Sequence, residues 1–163
     1  MAISLFAFAA CSSTGETDDA AGGTQSASAS SSASSSAGAS SGRLSEEEMR
    51  AQNALRQTVF YFDFDIAEFK NEDRDTLTFH ARDLAANPGK RVRLEGHADE
   101  RGTREYNLAL GERRANGILN YLIVNGASRS QIEVVSYGEE RSAQSGQTES
   151  AYSRNRRVEI VAR

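Results

Sequence analysis

Residues 12–42 contain no large apolar side chain: twelve of the thirty-one are Ser, and most of the others are Ala, Gly or Thr. Ordering such a stretch costs about 1 to 2 kcal/mol per residue, with no apolar burial to offset the loss, so it cannot join a core. Folding is thereby confined to the residues that follow, one domain of ordinary size within a chain of 163 residues. The stretch itself reads as a disordered N-terminal tether. By Gly/Ser chain statistics its r.m.s. reach is roughly 30 Å and its taut length about 100 Å, which suits holding a domain away from a surface.

Charge and cysteine content remove several function classes. Against 23 Asp+Glu stand 19 Lys+Arg with no basic block, so the chain lacks the cationic surface a sequence-independent nucleic-acid binder needs, and no nucleic acid is expected as a partner. The single cysteine, Cys11, leaves no internal disulfide and no cysteine-based zinc site. No run approaches the roughly 20 apolar residues that span a bilayer as a helix.

Beyond the tether, residues 44–57 form a short helical lead-in, with Ser45 as N-cap ahead of Glu46, Glu47 and Glu48. Residues 58–64, β-branched and aromatic, predict a first strand. In 70–86 the positions Leu77, His80, Ala81 and Leu84 follow the i, i+3, i+4, i+7 rule of a helix that Asn87-Pro88-Gly89 stops. Val92 and Leu94 alternate with Arg93 and Glu95 in a second strand over 91–96. A helix over 104–125 is expected to bury Leu108, Ala115, Ile118, Leu119 and Leu122, and it ends at Asn125-Gly126. Strands over 132–137 and 157–162 follow, with a polar loop between them. The order βαβαββ predicts an α/β (α+β) two-layer sandwich: helices on one face of a four-stranded mixed sheet, with a core adequate for about 110 residues.

The densest chemistry lies where the second strand runs into the long helix, from Glu95 through Gly96, His97, Asp99 and Arg101 to Tyr106, Asn107 and Arg114. Asn107, Leu110 and Arg114 share one helix face, and Arg114 leans back toward the loop carrying Asp99. Two readings stay open for Asp99 and Arg114. They satisfy each other as an ion pair, or they face a common cleft as a carboxylate and a planar fork complementary to a zwitterion. His97 and Asp99, with His80, lack the third histidine of a catalytic zinc site, and His80 is more simply a core-edge histidine. Ser136-Tyr137-Gly138 lacks the surroundings of an activated nucleophile. No catalytic residue and no cofactor is therefore expected. Arg154 to Arg157 opens the last strand, either as a solvated edge or as a ligand or partner contact.

Five segments, in order, resemble the OmpA-like peptidoglycan-binding domain family: Tyr61-Phe62-Asp63-Phe64-Asp65, Gly96-His97-Ala98-Asp99-Glu100-Arg101-Gly102-Thr103, the run Tyr106 to Ala115, Ser136-Tyr137-Gly138-Glu139, and Ser153-Arg154-Asn155-Arg156-Arg157-Val158-Glu159. The first two resemble the family's lipoprotein branch more than its porin or flagellar-stator branches. The resemblance covers residues 58–163 and implies a non-enzymatic domain that binds the diaminopimelate stem peptide of peptidoglycan. It implies that Asp99 holds the diaminopimelate amino group and Arg114 its carboxylate. Phe62, Asp63, Phe64 and Asp65 would lie in a loop that closes over the ligand, with Arg101, Tyr106, Asn107 and Leu110 lining the pocket. Small residues leading into Cys11 resemble a lipobox, so residues 1–10 read as the end of a signal peptide and 11–43 as a lipidated cysteine with its linker. Ser12 is not the aspartate that retains lipoproteins at the inner membrane, which implies an outer-membrane anchor with the domain facing the periplasm. Lipoproteins of this branch also bind Tol-system proteins, TolB in particular, in envelope integrity and cell division. The competing readings are a wall-binding lipoprotein outside the Tol system and a metal-dependent wall hydrolase using His97 and Asp99.

Overall fold

The computed structural model describes residues 45–163; the signal segment, Cys11 and the tether lie outside the described residues. The elements are α1 (Glu46–Arg56), β1 (Val59–Tyr61), α2 (Arg74–Ala86), β2 (Val92–His97), α3 (Arg104–Val124), β3 (Ile132–Gly138), α4 (Glu149–Asn155) and β4 (Arg157–Ala162). The expected two-layer α/β architecture is present, with one helix more than the sequence suggested.

α1 starts where Ser45 predicts. The Ser45 hydroxyl accepts from the Glu48 N–H, and the Glu48 carboxylate accepts from the Ser45 N–H at 2.7 Å, a reciprocal cap. No residue of α1 is buried, and the helix packs on α2. Its junction with the domain is pinned by Gln57, whose carbonyl accepts from His80 Nε2 at 2.8 Å and whose amide donates to Asp73 at 3.1 Å. His80 is thus the packed core-edge histidine its helix face implied.

The strand order is β1-β4-β2-β3. β2 and β3 run parallel, with Leu94 opposite Val134, whereas β4 is antiparallel to both its neighbours, with Val158 opposite Phe60 and Ile160 opposite Leu94. The last strand is therefore interior, and the solvated-edge reading of Arg154 to Arg157 is corrected. The first strand is also shorter than the aromatic run predicted. Tyr61 pairs with Arg157, the first residue of β4, so beyond Phe62 there is no partner strand to continue the ladder. Phe62 makes one last bond, its N–H donating to the Arg156 carbonyl at 2.9 Å.

Between β3 and β4 the predicted polar loop contains α4. Thr148 caps it by accepting from the Ala151 N–H, and Ala151 is fully buried. Seven residues with one small apolar contact are too few to show helical periodicity, so propensity alone could not reveal it.

The core joins Phe60, Leu77, Leu94, Ile118, Leu122 and Val158, all without solvent exposure. Leu108 is a further correction: it is 40% exposed. Its main chain lies against Gly138 at the end of β3, where a Cβ would fall 2.8 Å from the Leu108 nitrogen. α3 sits close to the sheet because two glycines face each other. A Cβ on Gly96 would lie 2.0 Å from the Gly111 carbonyl oxygen, and one on Gly111 would lie 2.4 Å from Ser136 Oγ. Gly96→Ala forces α3 away from β2 and is expected to cost at least about 3 kcal/mol, the upper end for overpacking against backbone, read as a lowered urea midpoint; an unchanged midpoint refutes the close-approach account.

Candidate functional site

The loop after β1, the β2–α3 loop, the first turns of α3 and the C-cap of α4 converge on a cleft of about 410 Å³. Phe64, Asp65, Asp99, Arg101, Tyr106, Asn107, Leu110 and Arg114 line it, and so do Gly102, Thr103 and Arg156. α3 supplies its share because Thr103 caps the helix through the Tyr106 N–H, which sets Asn107, Leu110 and Arg114 on one buried face as their spacing predicted. Phe62 and Asp63 take other places. Phe62 is buried, its ring 5.2 Å from the Arg114 guanidinium carbon, and the Asp63 side chain reaches toward Lys70 at 3.9 Å in a neighbouring groove.

Arg114 has no solvent exposure. Its Nε donates to the Ile66 carbonyl at 2.9 Å, Nη1 to the His97 carbonyl at 2.9 Å and Nη2 to the Asp63 carbonyl at 3.0 Å. Of its five N–H donors, one on each terminal nitrogen remains without a partner among the described residues. Burial, with Arg156 nearby adding like-charge repulsion, pulls its pKa down to about 10, so it stays charged at neutral pH.

Asp99 does not pair with Arg114. Its Oδ1 accepts from the Arg101 N–H at 3.2 Å and Nε at 3.3 Å; its Oδ2 accepts from Arg101 Nη2 at 2.6 Å and Arg156 Nη1 at 3.1 Å. Burial pushes its pKa up, but the bonds from Arg101 and Arg156 outweigh that and hold it below the ordinary carboxylate value. Asp65 adopts a left-handed backbone (φ 59°), a conformation Asp tolerates better than most residues, and its carboxylate accepts from the Tyr106 hydroxyl across the cleft mouth.

Arg156 also lines the cleft, whereas the sequence places it only in an arginine run at the start of the last strand. It is buried, and it donates to the Phe62 carbonyl, to Asp99 and to Glu149 at 2.7 Å. Strand periodicity could not place it in the cleft, because it is the C-cap of a helix the sequence did not show. Tyr152 and Glu149, from that same helix, also reach the cleft residues.

His97 turns away from the cleft. Next to Gly96, which faces α3, its ring lies against Tyr137 with centroids 5.6 Å apart, 1% exposed, and both nitrogens lack a hydrogen-bond partner among the described residues. No cluster of three or more His, Cys, Asp or Glu with metal-binding geometry occurs among the described residues.

A charged cleft between strand end, helix start and covering loop defines a binding module built on a mixed four-stranded sheet. The OmpA family matches residues 61–156. Over 120 residues the chain is 53% identical to the peptidoglycan-associated lipoprotein of Pseudomonas putida, covering 73% of this chain and 69% of that one. To the peptidoglycan-associated lipoprotein of Legionella pneumophila it is 37% identical over 153 residues, covering 94% and 86%. The crystal structure of the peptidoglycan-associated lipoprotein from Burkholderia pseudomallei superposes with a TM-score of 0.67 at 36% identity, over 68% of this chain and 93% of that one. The C-terminal domain of Helicobacter pylori MotB shares the fold at a TM-score of 0.60 and 20% identity, over 64% of this chain and 83% of that one. The chain belongs to the OmpA family, on the branch of the peptidoglycan-associated lipoproteins.

Burial, with Arg157 adding to it, lowers the His97 pKa from 6.5 to about 4. The unfolded chain takes up this proton near pH 6.5 and the folded chain only near pH 4, so stability is retained above pH 6.5 and falls by about 3 kcal/mol as the pH drops to 4. His80, lowered chiefly by burial, acts in the same direction. Urea midpoints taken at pH 7 and 4.5 are expected to fall less for His97→Leu than for the wild type; equal falls would remove His97 from the account.

Proposed function

We propose that this chain is a lipid-anchored protein of the outer membrane whose periplasmic domain grips the diaminopimelate stem peptide of peptidoglycan without covalent change. The supporting observation is the opposition of an ionised carboxylate, Asp99, and a buried guanidinium with two uncommitted N–H groups, Arg114, on one cleft of about 410 Å³. A small zwitterion is the chemistry that such a pair complements. Each charge-assisted bond is worth about 1.5 to 3 kcal/mol in a partly desolvated site.

Acylated Cys11 would hold one end of the chain in the membrane, with more than one acyl chain needed for stable attachment. The Ser- and Ala-rich spacer would let the domain reach the wall. In this reading the protein ties membrane to wall and works with the Tol system, TolB binding near the same cleft, in envelope integrity and division. The relatives carry the name peptidoglycan-associated lipoprotein, which agrees with the wall-binding part of this reading.

Asp99→Asn keeps the shape of the carboxylate and its capacity to accept from Arg156 while removing the charge. It is expected to lower cosedimentation with purified peptidoglycan at least about tenfold, with an unchanged circular dichroism spectrum; undiminished cosedimentation would overturn the site. For the anchor, mass spectrometry of the N-terminus from native membranes should find an acylated Cys11, and an unmodified thiol there would overturn it.

A further inference from the structure

The carboxylate of Asp99 is already saturated. Its four lone-pair positions meet four donors: the Arg101 backbone N–H, Arg101 Nε, Arg101 Nη2 and Arg156 Nη1. A cation entering the cleft must evict one of them. The backbone N–H is fixed by the turn, and Arg156 is buried and further tied to the Phe62 carbonyl and Glu149. The Arg101 side chain is the one of the set open to solvent, with a third of its surface exposed against less than a tenth for Arg156.

Its surroundings suit both departure and return. The guanidinium carbon lies 4.0 Å from the centre of the Phe64 ring and 4.5 Å from that of Tyr152, an aromatic setting that attracts cations in general. Nη1 lies 3.3 Å from Glu149, an exposed carboxylate that can keep hold of the side chain once Nε and Nη2 let go. Departure frees one position on each oxygen of Asp99, which is what an ammonium bridging both oxygens requires.

We propose that Arg101 is a built-in stand-in for the ligand's cation: it occupies the ammonium position on Asp99 beside Phe64 and Tyr152, and only a ligand bearing a positive charge displaces it. This inference rests on reading the cleft as a diaminopimelate site and adds a specificity device to it. A neutral or acylated amine cannot replace the guanidinium and leaves Asp99 paired with Arg101. The stand-in weakens binding of the true ligand by the strength of the contact it must give up, and in exchange keeps a buried carboxylate paired when no ligand is present.

The test is calorimetric titration of the full chain with meso-diaminopimelate. Arg101→Ala is expected to bind about fivefold more tightly than the wild type, the worth of one partly exposed ion pair. Guanidinium chloride, well below denaturing concentration and matched against sodium chloride, should refill the vacated position and bring the variant back toward wild-type affinity, with little effect on the wild type. Arg101→Gln, which keeps side-chain length, should repeat the gain if truncation to Ala loosens the loop. Unchanged or weaker binding by both variants, with Asp99→Asn inactive, overturns the stand-in and makes Arg101 a bystander or a ligand-gripping residue. Equal binding by wild type and Asp99→Asn overturns the diaminopimelate reading itself, and no binding by any chain overturns both.

Discussion

A guanidinium with no access to solvent, Arg114, joins three pieces of backbone that no ladder connects. It takes the carbonyls of Asp63 and Ile66 from the loop after β1, and that of His97 from the end of β2, onto one planar group carried by α3. Burying that charge costs several kcal/mol, and three carbonyl bonds, the face of Phe62 and the nearby charges of Asp99 and Asp65 offset it. Three acceptors at fixed angles need a fork; an ammonium could not meet all of them along the same directions. The same side chain therefore braces the backbone around the cleft.

The brace works because α3 changes character along one face. From Ala115 to Leu122 that face is apolar and fills the core; from Asn107 to Arg114 it is mixed, with Asn107 and Arg114 flanking Leu110, and lines the cleft. Gly111 lies between Asn107 and Arg114, pressed against Gly96, and this contact sets how near these turns come to the end of β2. Asn107 is held in its buried place by Glu139 beyond β3. Core and site are thus one packing arrangement, and a shift of the helix would disturb both.

Around Asp99 the charges alternate. Arg101 and Arg156 both meet Asp99, and both also meet Glu149 on α4. A carboxylate enclosed in this way remains ionised despite burial, because the bonds from Arg101 and Arg156 outweigh the cost of desolvation. The short helix α4 matters to the cleft for this reason, since it supplies Glu149 and Tyr152 and ends at Arg156.

Much of this was legible from residue order. The helical spacing of Leu77, His80, Ala81 and Leu84, the alternation from Val92 to Glu95, and the shared face of Asn107, Leu110 and Arg114 are all local regularities, and each appears in the structure. The motifs identified the family and most residues lining the cleft. Residue order could not reveal that β4 lies inside the sheet, that the Leu108 side chain is exposed, or that Asp99 pairs with Arg101 and Arg156 instead of Arg114. Helix and strand periods are properties of neighbours a few positions apart. Pairing of Asp99 with Arg156, and of Arg101 with Glu149, joins groups about fifty residues apart in the chain, and only the packed fold sets the distances on which such electrostatic choices depend.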